Sequence, residues 1–332
     1  MKNKSGGTLR VRYASLALLC AAVLAFLCAC STKKNTTMSR NWQAFNTRYN
    51  VYFNGSQHYI ETLKTMEQGY EDDYTRTVMM HPAEARANSK LPQPQGDFKR
   101  TIEKMQKAIQ LHSIKKKPAK KSGSKKEKEF RARDEFNPFL HNAWMLMGKS
   151  QFLGGDFLGA AATFFYIGKH FTWLPQTVTE AQLWEAWSYC AMDWLYEAEN
   201  ILQKIDDRRL TSKSLRHQYD VVQADLAVRA GRLEQAVPYL QRAAEGSHGT
   251  QRNRQYFLLG QVYSRLGDKS KAYYAYQKAG GGASTPYRAK FNARIKQSEV
   301  FTGTDIKGEV SALRRMARYG RNNEYLDQIY YA

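Results

Sequence analysis

The chain has 332 residues, of which 42% are apolar and 13% aromatic, and it carries a formal net charge of +21. That apolar content is enough for a sizeable core and excludes a chain that is disordered throughout. The excess of positive charge favours nucleic acid, anionic lipid or an acidic protein as a partner, and the compartment decides among these.

The first thirty residues predict export and attachment to a membrane. Four basic residues precede an apolar run over residues 13–27, which is short of the roughly twenty residues of a spanning helix. This arrangement predicts a signal peptide over residues 1–29. Leu27, Ala29 and Ser31 surround Cys30 as in a bacterial lipobox, so we expect Cys30 to be lipidated and to begin the mature chain. The alternative is an uncleaved anchor helix with incidental cysteines.

Both interpretations place the body of the protein outside the cytoplasm, where nucleic acid is not an expected partner. One cysteine then remains in the folded part, Cys190, within a Trp-rich helical pattern. A single thiol forms no internal disulfide, and no basic or His neighbour shares its face to lower its pKa. We therefore expect a buried packing role for Cys190 rather than a nucleophilic one.

A short polar tether over residues 30–37 leads into an N-terminal helical segment over residues 38–114, with a break expected at Asn54–Gly55. The segment contains the run RYNVYFNG, from Arg48 to Gly55, behind a KKN run close to Cys30. Two further runs are KAIQLHS at 107–113 and NAWMLMGKS at 142–150. Together these runs resemble the PorW/SprE lipoproteins of the Bacteroidetes type IX secretion and gliding machinery.

The resemblance implies a lipid-anchored repeat protein of the outer membrane that faces the periplasm and serves secretion and gliding as an assembly factor. Its partners would be proteins of that machinery, and the membrane would be reached through lipid on Cys30. No residue role is carried over beyond Cys30. The residues after Cys30 lack the acidic pattern of lipoprotein surface export, which also favours a periplasmic face.

The chain between Arg76 and Phe136 is expected to depart from compact packing. Pro92 and Pro94 interrupt any helix, and residues 97–114 then have the period of an amphipathic helix. Residues 115–129 contain eight lysines, which predicts a flexible, solvated loop. The alternative is a docking segment for anionic headgroups or an acidic partner, whose binding would weaken with salt.

The remaining residues, 130–332, carry a helical repeat. Between Tyr256 and Ala279 the chain matches the tetratricopeptide spacing, with small residues at Gly260 and Ala272 and a turn at Gly267–Asp268. Small residues are needed where two antiparallel helices approach closely, and one such hairpin cannot bury its own apolar face. An array of hairpins is therefore predicted.

Further copies of the spacing support this array. One begins at Trp144, with a turn at Gly155–Asp156, and two weaker ones cover residues 179–205 and 215–243. A tryptophan stripe in the first weak copy is expected to be core rather than an exposed surface: Trp184, Trp187, Trp194. We predict an all-α, tetratricopeptide-like solenoid of about four to five hairpins. Its aromatic last residues predict that the array continues beyond residue 332.

No catalytic constellation is visible in the sequence. The seven histidines lack metal-ligand spacing, and Gly280–Gly282 reads as a helix stop rather than a phosphate loop. The acidic pairs Asp72–Asp73 and Asp206–Asp207 are expected to cap turns. The sequence thus predicts no enzyme, no cofactor and no metal.

We therefore expect a scaffold or connector whose concave face, formed by the first helices of the hairpins, holds a segment of a partner protein. Six residues are predicted to line this groove: Met145, Lys149, Phe152, Phe257, Gln261, Arg265. Two alternatives stay open. One is a tetratricopeptide lipoprotein that assists assembly of outer-membrane β-barrels, and the other is a cell-wall-binding accessory subunit or an enzyme of the cell wall.

Overall fold

The computed structural model describes residues 34–283 and 285–332, and these fold into fifteen α-helices without a strand. The predicted signal peptide and Cys30, the predicted lipidation site, lie outside the described residues. The all-α class is confirmed, with each helix packed on neighbours in the chain. No helix in the described part of the chain is both long and apolar enough to cross a bilayer.

The chain from residue 37 to residue 69 is helical without interruption, so the break expected at Asn54–Gly55 is wrong. Helix α1 (Thr37–Asn46) runs through a π-helical segment (Thr47–Tyr52) into α2 (Phe53–Gly69). Helix α3 (Lys99–His112) crosses this segment at Gly55, where a side chain would collide with Met105. Gly55 lets α3 pack closely here, and a larger residue would require the flexible end of the Met105 side chain to move.

The lysine-rich stretch is partly helical, which the sequence did not predict. Residues 125–131 form α4 (Lys125–Arg131), capped by Ser124, whose hydroxyl accepts the Glu127 N–H. The Glu127 carboxylate in turn accepts the N–H groups of Lys121 and Ser122 at 2.6 and 2.5 Å. All eight lysines of residues 115–128 are exposed, as expected.

Residues 140–279 form four helical pairs. The earlier helix of each pair is called its first helix and the later one its second helix. The first helices are α5 (Leu140–Gly154), α7 (Pro175–Ala191), α9 (Lys213–Arg229) and α11 (Gly249–Arg265). The second helices are α6 (Phe157–His170), α8 (Leu195–Leu202), α10 (Leu233–Gly246) and α12 (Lys269–Ala279). Another pair follows, α13 (Tyr287–Glu299) and α14 (Ile306–Ala317), before a final α15 (Leu326–Tyr331).

Glycines bring the two helices of a pair close together at Gly148 and Gly260. A Cβ on Gly260 would lie 2.6 Å from the Tyr276 ring, and one on Gly148 would lie 2.7 Å from the Phe164 ring. Gly267 has a φ of +78°, which a glycine adopts without strain, and it ends the first helix. Asp268 caps the second helix by accepting the Lys271 N–H at 3.0 Å.

The tryptophan stripe is only partly in the core. Trp187 is buried, but Trp194 is exposed and stacks on Tyr189 with 5.8 Å between ring centroids. Helix α7 ends at Ala191, and Asp193 takes a positive φ of 58°. The turn therefore begins before Trp194, so this residue no longer shares the helical face of Trp187.

Candidate functional site

The face formed by the first helices is covered by the chain itself. Residues 70–88, which join α2 to the Pro92–Pro94 region, lie across this face and include a 3-10 helix at Pro82–Ala87. We call residues 70–88 the strap. The strap contacts α13 near its start and α5 near its end, so it crosses the first helices in the reverse of their order in the chain. The expectation of loose packing after Arg76 is wrong for the strap.

Amide side chains of α11 hold the main chain of the strap. The Oε1 atom of Gln261 accepts the Val78 N–H at 2.9 Å, and its Nε2 atom donates to the carbonyl of Arg76 at 2.7 Å. Gln251 Nε2 donates to the carbonyl of Met80. These bonds satisfy backbone groups of an irregular segment, whichever side chains it carries. The face thus binds the strap as a groove binds a peptide.

Apolar side chains of the strap enter the main core of the array. Val78, Met80 and Ala83 are buried in the cluster that includes residues of α7, α9 and α11. The Tyr74 ring meets the Phe257 ring edge-on, with 4.9 Å between centroids. Because this surface is shared, the strap contributes to the core rather than resting on it.

A buried ion pair fixes the first part of the strap. Both carboxylate oxygens of Asp72 lie 3.0 Å from Nε of Arg254, and both side chains are buried. Burial alone would lower the pKa of Arg254, but the Asp72 carboxylate raises it above its ordinary value. The Arg254 guanidinium also lies over the Tyr70 ring, at 5.6 Å from its centroid. A buried cation needs such partners, since desolvation is costly.

A second charged cluster holds the 3-10 helix of the strap. Arg229 of α9 donates to Glu84 at 2.6 Å, to Asp193 at 2.7 Å and to Asp225 at 2.9 Å. Glu84 is fully buried and also accepts the indole N–H of Trp187 at 3.2 Å. One cation therefore serves three carboxylates, two of which are out of contact with water.

The surplus of buried carboxylates changes their protonation. Burial raises the pKa of Glu84 to about 8, and the nearby Asp225 adds to the rise while Arg229 opposes it. Burial also raises the pKa of Asp225. Burial alone would lower the pKa of Arg229, but Asp225 and Glu84 together raise it. The cluster thus retains a proton to a higher pH than free carboxylates would.

Three of the six predicted groove residues face the strap. Phe257 and Gln261 make the contacts described above, and the Arg265 guanidinium donates to the Thr77 hydroxyl. Because the strap already lies there, the face expected to be open to a partner is filled by the chain itself.

The other three predicted groove residues lie elsewhere. Met145 and Phe152 are core residues, and Phe152 packs on Trp187 with 4.9 Å between centroids. Lys149 pairs with Glu180 at 2.6 Å. The structure therefore brings together only the predicted groove residues of α11.

Several residues of the site were missed by the sequence analysis. Arg254 lies three residues before Phe257 and seven before Gln261, so helical spacing could have placed it on the same face. Asp72 was assigned to a turn, and its partner Arg254 is 182 residues away in the chain. Nothing local identifies such a pair.

The described residues hold no grouping of three or more potential metal ligands. Cys190 is buried, and burial raises the pKa of its thiol, which keeps the thiol unreactive. A cleft of about 190 Å³ remains beside the strap, lined by these residues: Tyr70, Asp72, Tyr74, Arg254, Phe257, Arg288. Its charged groups are already paired within the chain.

Comparison with protein-family models and with curated proteins finds no match to this chain.

Proposed function

We propose that the chain is a membrane-anchored, tetratricopeptide-like scaffold without catalytic activity, which connects proteins of a type IX secretion and gliding apparatus. The observation that carries the scaffold role is the set of large apolar side chains that the second helices expose to solvent. Large apolar side chains exposed on a folded protein commonly mark a protein interface. The assignment to the secretion apparatus rests on the resemblance of residues 48–55.

The partner in this proposal binds outside the first-helix face, because the strap already fills it. The second helices present large apolar side chains to solvent: Leu158, Phe165, Tyr196, Tyr274. Aromatic residues are common anchors of protein interfaces. We assign partner contact to this second-helix face.

Affinity purification of the tagged, lipidated protein from its native membrane, after mild crosslinking, tests this proposal. We expect ring or translocon components of type IX secretion to be recovered with the wild-type protein. The double variant Phe165→Ser and Tyr196→Ser should lose them, because both side chains are exposed and their removal leaves the core intact. A matched control, Ile60→Ser, alters an exposed apolar residue of α2, which belongs to none of the helical pairs, and should retain them.

Other recovered proteins would overturn parts of the proposal. Barrel-assembly proteins would replace the secretion assignment with β-barrel assembly and make the 48–55 resemblance coincidental. Recovery of peptidoglycan fragments without protein would favour a cell-wall-binding accessory subunit. Recovery of no partner at all would contradict the scaffold role.

A further inference from the structure

The N-terminal helices present their apolar face outward. Five large side chains of α1, the π-helix and the first residue of α2 point into solvent, with these exposed fractions: Met38 54%, Trp42 38%, Phe45 55%, Tyr49 52%, Phe53 53%. We call these five residues the outer stripe. They follow one another at spacings of four, three, four and four residues, which is one side of a helix. A contiguous exposed apolar stripe of this kind marks an interaction surface.

The buried residues of α1 and of the π-helix are polar, which reverses the usual arrangement of a surface helix. Ser39, Gln43 and Thr47 are buried. Gln43 Oε1 lies 2.6 Å from Nδ1 of His112, and Asn137 donates to the Thr47 hydroxyl at 3.0 Å. These hydrogen bonds fix the rotation of α1 about its axis. The opposite side of the helix, which carries the outer stripe, therefore faces solvent.

The π-helix keeps the outer stripe in line. In an α-helix, a residue four positions further along lies slightly past one full turn, so such side chains move gradually around the helix axis. The π-helix has more residues per turn, and this brings side chains that are four residues apart closer to one line along the axis. Tyr52 packs edge-on against Phe139 at 5.1 Å, and Arg48 lies over that ring at 5.7 Å. The inward contacts of this turn therefore hold Tyr49 and Phe53 on the outside.

Basic residues lie beside the outer stripe, and the Arg48 guanidinium is 5.3 Å from the centroid of the Tyr49 ring. The first acidic residue of the whole chain is Glu61, whereas Lys34, Arg40 and Arg48 are basic. The lysine-rich residues 115–128 meet the start of α1, since the Asn35 side chain donates to the carbonyl of Lys116 at 2.6 Å. A surface of this composition is attracted to anionic phospholipid.

The chain also brings this surface to the membrane. Helix α1 begins seven residues after Cys30, and seven extended residues span at most about 25 Å. The apolar run over residues 13–27 ends just before Cys30, so the membrane is reached here under either interpretation of the N-terminus. A protein partner is therefore not needed to explain the apolar face.

We propose that the outer stripe lies in the headgroup region of a phospholipid bilayer, with the neighbouring basic residues on anionic headgroups. Trp, Tyr and Phe favour this interface because their rings are apolar while it is partly wet. Lipid on Cys30 alone would tether the body, whereas the outer stripe also sets its orientation. This inference rests on the membrane attachment of the proposed function but not on its secretion partners.

Site-specific labelling of the full lipidated chain in vesicles tests the orientation. A fluorophore is placed at Phe45→Cys or, as a matched control, at the exposed aromatic position Tyr196→Cys on α8. Cys190 is buried, and the parent protein without an added cysteine gives the background. The vesicles contain phosphatidylcholine with or without phosphatidylglycerol.

We expect the label at residue 45 to be several-fold less accessible to a water-soluble quencher than the label at residue 196. A lipid-embedded quencher should reach only residue 45. With phosphatidylglycerol present, the protection should be greater at low salt than at high salt, because the basic residues add to it.

A companion variant separates the outer stripe from the lipid anchor. Tyr49→Ser with Phe53→Ser should leave thermal unfolding unchanged, since both side chains are exposed, and should restore quencher access at residue 45. Equal access at residues 45 and 196 in vesicles would overturn the proposal. Protection of residue 45 in native membranes but not in pure lipid would also overturn it and would assign the outer stripe to a protein partner. Either of these two labelling results would leave the outcome of the affinity purification, which tests the proposed function, unchanged.

Discussion

At the scale of single residues, Arg229 pairs with three carboxylates, and one of them belongs to Glu84 of the strap. Removing the Arg229 charge tests how strongly this cluster holds the strap. Arg229→Met leaves Glu84 and Asp225 buried beside a neutral side chain. Glu84, whose pKa is raised to about 8, is mostly protonated at pH 7, so Asp225 is the buried carboxylate that loses its cation. We expect the free energy of unfolding to fall by about 3–5 kcal/mol, the usual cost of leaving one buried charge without its partner. Urea unfolding at pH 7 measures the change.

The matched control is Arg232→Met, which removes a partly exposed pair with Glu199 at 2.7 Å. That pair lies at the surface, so we expect a loss below about 1 kcal/mol. Equal losses for the two variants would show that the Arg229 cluster is not the stronger attachment.

The protonation of Glu84 gives a dependence on pH. Its pKa rises from the ordinary value of 4.5 to about 8 in the folded chain, so between these values the folded state binds more protons than the unfolded state. The stability that this group contributes is complete below pH 4.5 and is lost as the pH rises through about 8. Glu84→Gln cannot titrate and keeps a similar shape.

Urea unfolding of both proteins between pH 5 and pH 9 measures this effect. The wild type should lose stability relative to Glu84→Gln as the pH increases. The comparison of the two proteins also cancels the contribution of Glu185, whose pKa burial raises to about 7. Parallel curves would mean that Glu84 has the same charge in the folded and unfolded states over this range.

At the scale of elements, the strap depends on the amide groups of α11. Gln261→Leu removes both bonds to the strap backbone and leaves the Val78 N–H without an acceptor. We expect a loss of about 1–3 kcal/mol and faster hydrogen exchange at residues 76–80. Exchange followed by mass spectrometry locates the effect.

A control for this variant is Gln223→Leu on α9. The Gln223 amide donates only to the Tyr219 hydroxyl, which is partly exposed, and it does not contact the strap. Exchange at residues 76–80 should stay at the wild-type rate in the control. If residues 76–80 exchanged at the wild-type rate in Gln261→Leu too, apolar packing alone would be what retains the strap.

Helices and turns were predictable from the sequence to the extent that their signals are local. Gly267 and Asp268 mark a turn by their own backbone and side-chain chemistry, and the helices on either side appear where expected. Gly55 was misread because a glycine that breaks a helix and a glycine that admits a neighbouring helix look alike in sequence. Only the presence of Met105 against it decides.

The candidate site was predictable only in part, for the same reason. Helical spacing identified Phe257, Gln261 and Arg265 as members of one face, but it could not show what covers that face. The strap has no period of its own, and its ion pair joins Asp72 to an arginine 182 residues away. A contact at such separation leaves no mark on the sequence near either residue.

At the scale of the whole molecule, the strap changes the way an array of repeats should unfold. Repeats in a simple array contact only their neighbours, so one end can open while the other stays folded. Here the strap touches first helices from α13 to α5 and shares one buried cluster with them. Separate unfolding of either end would have to detach the strap along its length.

We therefore expect the described part of the chain to unfold in one cooperative step. Native-state hydrogen exchange should give slowly exchanging amides of α5, α9 and α11 the same opening free energy. In Arg229→Met the strap is released at α9 while the Asp72–Arg254 pair at α11 remains. The opening free energy of α5 should then fall below that of α11, because the strap no longer joins the two. Identical values in the variant would mean that contacts between neighbouring helices, and not the strap, make the array cooperative.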